Sequence, residues 1–370
     1  MIVRAFIVDD EPPARVRLRQ LLAEVGDVLV VGEAGDAVEA RDSIVEVRPD
    51  VVFLDIEMPE ESGTDLAATL PEPRPFVVFA TAFERYALAA FAVDATDYLV
   101  KPITRARLSG TLERVRERLS RRSDLELDLA AASAAQAMLQ QRALPAIAGY
   151  YSAAITIPAR GVGGDFFISQ PIDDTRSALA LGDVSGKGMS AGIVASSLQA
   201  RIESVARHGR GTAIAVVADV NRSLCSGTEA GRFATLVYAE LDIERSLLTV
   251  VNAGHLPPLV LTPGREPTSI DSTAPALGLL IDARFDAVTV ALQPGSIVLF
   301  YSDGVTESTD SDGSEFDHGR LVECVLAHLG EPAARICEAV VAAVRDHTGT
   351  RRAHDDVTVL AIRRLSLDIF

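Results

Sequence analysis

Acidic residues beside glycine or at the ends of apolar runs recur in the second half of the chain: Gly163-Gly164-Asp165, Asp183 within GDVSGKG, Asp303 within YSDGVTE, and Asp355-Asp356 within HDDVTVL. Oxygen-only ligands without a histidine or cysteine cluster favour Mg2+ or Mn2+ over zinc. Several such carboxylates can hold two cations that share a bridging water. That arrangement lowers the water's pKa toward ~7 and clamps a phosphoryl group for in-line attack. The chemistry it suggests is hydrolysis of a phosphate ester with no covalent enzyme intermediate. A second capable set lies near the N-terminus: Asp9, Asp10, Asp55, Thr81, and Lys101 before Pro102. Three carboxylates, a hydroxyl and an ammonium suit a phosphorylation site with Mg2+.

The elements that must position these groups can be read from the pattern. Apolar runs at 3–8, 28–31, 51–54, 76–79 and 96–100 alternate with helical patterns such as 36–47. Such alternation predicts a doubly wound α/β domain whose parallel sheet gathers Asp9, Asp10, Asp55, Thr81 and Lys101 at its carboxyl edge. Residues 104–144 carry no strand signal and are rich in helix formers. Leu108, Leu112, Val115 and Leu119 form one heptad-like seam; Leu125, Leu129, Ala132, Gln136 and Leu139 form another. The six-residue step between them puts the seams out of phase and predicts a break at 121–124, where Ser123 or Asp124 can cap a new helix. The seams admit a homodimer through this linker; a single helix packing within its own chain is the plainer alternative.

Beyond Pro145, short strand patterns at 153–157, 178–181, 235–241, 247–251, 258–261, 288–292, 297–301 and 357–362 accompany helical patterns at 190–207, 212–225, 316–328 and 333–347. Largely consecutive strands with paired helices predict an α+β fold with antiparallel sheets covered by helices. In it Asp183 ends a buried strand, and Gly182, Gly186 and Gly188 leave the following loop free to approach a ligand before a helix starts near Met189. The expected domains are 1–120, a helical linker at 121–145, and 146–370.

Composition narrows the partners. A net charge of −17 over 370 residues excludes general binding to nucleic acid or to an anionic membrane surface, both of which need clustered lysine and arginine. The basic run from Arg114 to Arg122 is interleaved with glutamates and reads as a solvated helix face. Cys225, Cys324 and Cys337 show neither disulfide nor zinc spacing. No signal-peptide pattern opens the chain, and charges such as Glu84 and Arg85 interrupt its apolar stretches, so a cytoplasmic location is expected.

Over residues 1–120, with VVFLDIEMP around Asp55, the sequence resembles response-regulator receiver domains, and its stretch ATAFERYALAAFAVDATDYLVKPI looks most like receivers joined to LytTR DNA-binding domains. The resemblance implies Asp55 as phosphoacceptor for a cognate histidine kinase. Asp9, Asp10 and Asp55 would hold Mg2+ with the carbonyl of Glu57, while Thr81, Tyr98 and Lys101 would form the switch. The motifs RGVGGDFF, LALGDVSGKGMSAG, RFATLVYAELD, VNAGHLPPLVL, VLFYSDGVTES and HDDVTVLAI, in that order, resemble the SpoIIE-like branch of the PPM metal-dependent serine/threonine protein phosphatases over residues 136–364, with LQQRALP ending the family's regulatory helix. This implies a PPM β-sandwich flanked by helices and two Mn2+ or Mg2+ ions. Asp183 would bridge both ions with the carbonyl of Val184 as a further ligand, Asp165 would serve the second ion, and Asp303 and Asp355 the first. Asp356 would stand behind the ligands, and His255 reads as structural. The substrate implied is a phosphoserine or phosphothreonine protein, an anti-sigma-factor antagonist of STAS type. Lys187 and Arg160 are candidate phosphate contacts. One departure is Ile168, where the family usually has aspartate. The alternatives are an inactive adaptor on the same fold and, from the receiver subtype, a DNA-binding regulator.

Overall fold

The structure, a computed structural model, describes residues 2–82, 95–140, 143–159, 161–208, 211–227, 231–350 and 354–366. Arg160 lies outside the described residues, as does the 83–94 part of the receiver-like stretch. The chain divides into two compact units, Met1–Leu127 and Asp128–Phe370. Among the described residues no helix is long and apolar enough to cross a membrane.

In the first unit β1 (Val3–Val8), β2 (Val28–Ala34), β3 (Val51–Leu54), β4 (Phe76–Thr81) and β5 (Asp97–Val100) form one parallel sheet in the order β2-β1-β3-β4-β5. Strand side chains alternate between faces, so β1 sends Phe6 and Val8 to one core and Val3, Ala5 and Ile7 to the other. Helices α2 (Ala37–Val47) and α3 (Gly63–Thr69) cover the first face; α1 (Pro12–Val25) and the beginning of α4 (Arg105–Gln140) cover the second. The strand order reverses between β1 and β3, which opens a crevice at their carboxyl ends.

Helix α4 differs from expectation. It runs unbroken from Arg105 to Gln140, through the predicted break at 121–124. Serine and aspartate inside a helix cost only tenths of a kcal/mol, about 0.5 each, and Arg122 secures this turn by donating to the carbonyl of Arg74 and pairing with Glu126 one turn on. The phase difference between the seams survives as a rotation of about 120° around one continuous helix. Leu108, Leu112 and Val115 are fully buried in the first unit, so this seam is intramolecular. In the second seam Leu125 and Leu139 are exposed and Gln136 is buried.

The second unit stacks two antiparallel five-stranded sheets. One orders β13 (Val288–Ala291), β10 (Leu247–Ala253), β9 (Ala234–Asp242), β8 (Arg176–Val184) and β7 (Asp165–Pro171); the other orders β12 (Thr268–Ser269), β11 (Leu259–Leu261), β14 (Ile297–Tyr301), β15 (Val357–Arg364) and β6 (Tyr150–Ile157). Leu179, Leu181 and Val237 of the first sheet meet Val298, Phe300 and Leu360 of the second between the layers. Helices α5 (Met189–His208) and α6 (Ala213–Gly227) cover the outer face of the first sheet. Following the short α7 (Asp303–Thr306), α8 (Asp317–Ala327) and α9 (Ala333–Thr348) cover the second.

The period of two along β7 assigns Ile168 a place. Phe167 faces the other sheet, whereas Phe166 and Ile168 point into the core beneath α5 and α6. Ile168 is 2% exposed, on the face opposite to that of Asp165 and Phe167. Its apolar character is therefore required by packing. Ile168→Asp is expected to destabilise the second unit by about 3 kcal/mol or more, because a carboxylate would be buried without a partner. Urea denaturation measures this, and a variant as stable as wild type would contradict the assignment.

Candidate functional site

At the carboxyl edge of the parallel sheet, Asp9 and Asp10 follow β1 and Asp55 follows β3, and their carboxylates each offer an oxygen within 4.8 Å of the others. Lys101, directly after β5, places Nζ 2.6 Å from Asp55 Oδ2 and 2.7 Å from Asp9 Oδ2. Burial pushes Asp9 above its ordinary value despite that ammonium. Burial works against the charge of Lys101, but its hydrogen bonds to Asp55 and Asp9 hold it above the usual lysine range. Thr81, at the end of β4, is fully buried, and its hydroxyl has no hydrogen-bond partner. A buried hydroxyl without a partner is costly unless a ligand supplies one, and this one lies on the same sheet edge as Asp55. Tyr98 sits on β5 opposite Phe79, half-buried against the α2–α3 face. The amide of Glu57 donates to Asp55 Oδ1 at 3.3 Å. The donor set is all oxygen and fits a hard cation.

The second site is assembled from strand ends of both sheets. Asp165 opens β7 and lies directly opposite Asp183 in the β7–β8 ladder; Asp183 also faces Thr235 of β9. Asp303 starts α7 just after β14, and Asp355 and Asp356 lead into β15, the neighbour of β14. Register thus brings together carboxylates far apart in sequence. Burial pushes the Asp183 carboxyl up to about 7, with Asp303, Asp355 and Asp356 adding repulsion. Burial holds Asp165 well above the carboxylate range, reinforced by Asp183 and Asp356, and Asp303 is raised by burial and Asp355. Asp165 Oδ2 is buried without a hydrogen-bond partner. A Cβ on Gly164 would lie 2.8 Å from the Val184 carbonyl oxygen and 3.1 Å from Asp183 Oδ1, so a side chain there would fill the space beside these oxygens. Unlike Asp9, Asp10 and Asp55, these acids do not, among the described residues, offer three oxygens within 4.8 Å of one another; what suits a hard cation here is the all-oxygen donor set and the orphaned oxygen of Asp165.

The other polar groups build the frame. Asp356 accepts from the amides of Ala159 and Gly164, both at 2.8 Å, and so fixes the loop leading to Asp165. Ser302 donates to the carbonyl of Asp356 and accepts from the amide of Thr358. His255 is buried; the Tyr301 carbonyl at 3.2 Å requires its Nε2 to carry the proton, leaving Nδ1 to accept from Thr235 at 2.7 Å. Burial lowers its pKa to about 4. A neutral imidazole with both nitrogens engaged ties β9 beside Asp183 to β14 before Asp303, which is a positioning role.

Lys187 does not stand free: its Nζ lies 2.8 Å from Asp355 Oδ2. Two residues not read from the sequence as site elements reach the loop from Gly163 to Asp165 from α4. Gln136 donates from Nε2 to the Gly163 carbonyl at 2.8 Å and accepts the Gly163 amide at 3.0 Å, while Gln140 donates to the Asp165 carbonyl at 2.9 Å. A glutamine on an otherwise apolar seam, with a second one turn later, was the available signal.

Comparison with known proteins follows the same division. The response regulator receiver domain family matches residues 5–113, and the stage II sporulation protein E (SpoIIE) family matches residues 173–365. Among curated proteins, the transcriptional regulatory protein BtsR of Escherichia coli is 50% identical over 121 residues, covering 32% of this chain and 51% of that protein; the chain thus spans about half the length of the curated relatives it matches. The SiaA-PP2C domain of Pseudomonas aeruginosa superposes with a TM-score of 0.58 at 20% identity, covering 65% of this chain and 98% of that one. The RsbU and RsbW domains of a Mycobacterium tuberculosis protein give a TM-score of 0.53 at 27% identity over 60% of this chain and 62% of that one. The PP2C phosphatase domain of SpoIIE from Bacillus subtilis gives 0.52 at 18%, over 60% and 63%.

The raised carboxyls carry a signed consequence for the metal-free protein. Asp183 titrates in the fold near 7, above its ordinary value, so its stabilising contribution is complete below about pH 4 and lost as pH rises through about 7. In chelator, Asp183→Asn is expected to match wild type near pH 4 and to exceed it by about 1–3 kcal/mol near pH 8. Urea denaturation across that range tests this; a difference independent of pH would refute it. With the match to residues 173–365 covering just over half of the sequence, the chain belongs to the SpoIIE family, and it carries a response-regulator receiver domain ahead of a PP2C-type phosphatase domain.

Proposed function

We propose that this response regulator delivers its output as a Mg2+- or Mn2+-dependent protein serine/threonine phosphatase. The observation that carries the reading is the pair Asp165–Asp183, opposed in one ladder, the first buried and the second half-buried, both held toward protonation, with one oxygen of Asp165 unpartnered. Two divalent cations, when bound, supply Lewis acidity for the hydrolysis of a phosphate ester by water. Asp183 and the Val184 carbonyl would hold both, Asp165 the second, and Asp303 and Asp355 the first. Asp356, Ser302 and His255 keep those ligands in place. An inactive adaptor would have no need of an unpaired buried carboxylate.

In the receiver, Asp55 is the proposed phosphoacceptor, with Mg2+ held by Asp9, Asp10, Asp55 and the Glu57 carbonyl. Lys101 and Thr81 would contact the phosphoryl oxygens, and Tyr98 would respond. The phosphodonor is a histidine kinase. Repacking of the receiver face against α4 would alter the hold of Gln136 and Gln140 on the loop from Gly163 to Asp165. The substrate proposed is a phosphorylated anti-sigma-factor antagonist, the class of protein that the SpoIIE resemblance implies.

With Mn2+ and a phosphoserine peptide, Asp183→Asn is expected to lose at least about 100-fold in turnover; equal turnover for the two proteins would end the enzyme reading. A homodimer through the exposed part of α4, around Leu125 and Leu139, belongs to the same proposal. Sedimentation is expected to show a dimer in at least one receiver state, and a monomer with and without a phosphoryl mimic would exclude it.

A further inference from the structure

Among the described residues, the ion pair made by a proposed metal ligand of the phosphatase site is that of Asp355 with Lys187. The ammonium lies 2.8 Å from Asp355 Oδ2 and donates to the His354 carbonyl at 2.8 Å. The other oxygen of Asp355 accepts the following amide, that of Asp356, at 3.0 Å. Both oxygens of this carboxylate are therefore engaged, and a cation that binds Oδ2 meets the Lys187 ammonium as a competitor for the same negative charge.

The surroundings decide whether that ammonium is a lock or a competitor. Lys187 and Asp355 side chains are 46% and 42% exposed, and an ion pair this open to water is weak. Lys187 stands between Gly186 and Gly188, both with positive φ of 100° and 79°, and neither has an atom within 4 Å of where a Cβ would be. Its side chain is half exposed, and its stem is not part of any apolar core. A group held this loosely yields to a doubly charged ion and settles back when the ion leaves. Its charge also acts on Asp183 and Asp303, easing the repulsion among the acids.

We propose that Lys187 is a resident counter-ion that occupies Asp355 in competition with a divalent cation, so that metal binding releases its ammonium into the mouth of the site, where it meets the phosphoryl group of the substrate. The proposal rests on the reading of Asp355 as a metal ligand. It gives the site two alternative charge states: metal absent with Lys187 on Asp355, and metal present with Lys187 turned toward the substrate's anion. Lys187 thereby weakens metal affinity and strengthens phosphate affinity.

Calorimetric titration of the full chain with MnCl2 tests this, with Asp183→Asn, whose receiver carboxylates are intact, as the blank for the second site. Lys187→Met is expected to bind Mn2+ about 3- to 10-fold tighter than wild type at the Asp183-dependent site. Lys187→Arg, which keeps the charge, should stay within about twofold of wild type. Arg201→Met, which removes an exposed cation paired with Asp219 on the surface of α5, should leave Mn2+ affinity unchanged. Inorganic phosphate should bind the Mn2+-loaded Lys187→Met protein several-fold more weakly. Equal or weaker Mn2+ binding by Lys187→Met, or an equal gain in Arg201→Met, overturns the proposal while leaving the metal reading in place. A wild-type titration indistinguishable from that of Asp183→Asn overturns both.

Discussion

Carboxylates buried within reach of one another lose hydration and repel, so each is held toward its protonated form unless a cation joins them. In the phosphatase unit this constraint falls on Asp165, Asp183 and Asp303, all raised by burial first and by their acidic neighbours second. The strands cannot relieve it, because the ladder fixes Asp165 opposite Asp183 and each strand is committed on both faces to apolar cores. What remains is to supply positive charge from outside or from Lys187. Hydrogen bonds from Thr358 and Ser302 to Asp165 and from the Gly304 amide to Asp303 offset only part of this, and the acids stay raised.

The frame around those acids is correspondingly rigid. Asp356 spends both oxygens on backbone amides of the loop from Ala159 to Gly164, and Ser302 ties the strand before Asp303 to the one after Asp356. His255 adds a neutral crosslink between the two sheets. Burial keeps this imidazole neutral down to about pH 4, so the crosslink carries no charge into the site. None of these groups needs to touch a substrate; each removes a way for the carboxylates to move apart.

Much of this was legible in the sequence because the chemistry sits at strand ends, where an apolar run stops at an acid. Asp9, Asp55, Asp183 and Asp303 are all of that kind, and the strands carrying them were expected within a few residues of where they lie. Strand β7 was not, because Phe166, Phe167 and Ile168 are apolar on both faces, Ser169 and Gln170 polar on both, and the run lacks the alternation that marks a half-buried strand. The same cause left Ile168 standing only as a departure from the family's usual aspartate: without the strand its face is unknowable, and with it the side chain belongs to the helix-packing core. The continuity of α4 was misread for a different reason. A phase shift in a hydrophobic seam signals a break only when one partner must be followed along the whole helix, whereas here the first seam packs against the sheet of one unit and Gln136 against a loop of the other.

That change of partner gives α4 its consequence. Three of the four residues of its first seam are fully buried, so any change in the sheet face beneath Leu108, Leu112 and Val115 must be met by movement of the helix or of the side chains around it. Its far end holds Gly163 and Asp165 through amide hydrogen bonds from Gln136 and Gln140, which are short-ranged and directional. A displacement of about 1 Å at that end is enough to lengthen those bonds beyond use. Asp165 is the most deeply buried of the acids and the one with an unpartnered oxygen, so a loop shift there meets less slack than an equal shift at the open, lysine-paired Asp355. Helix α4 is thus attached to the acid with the least room to move.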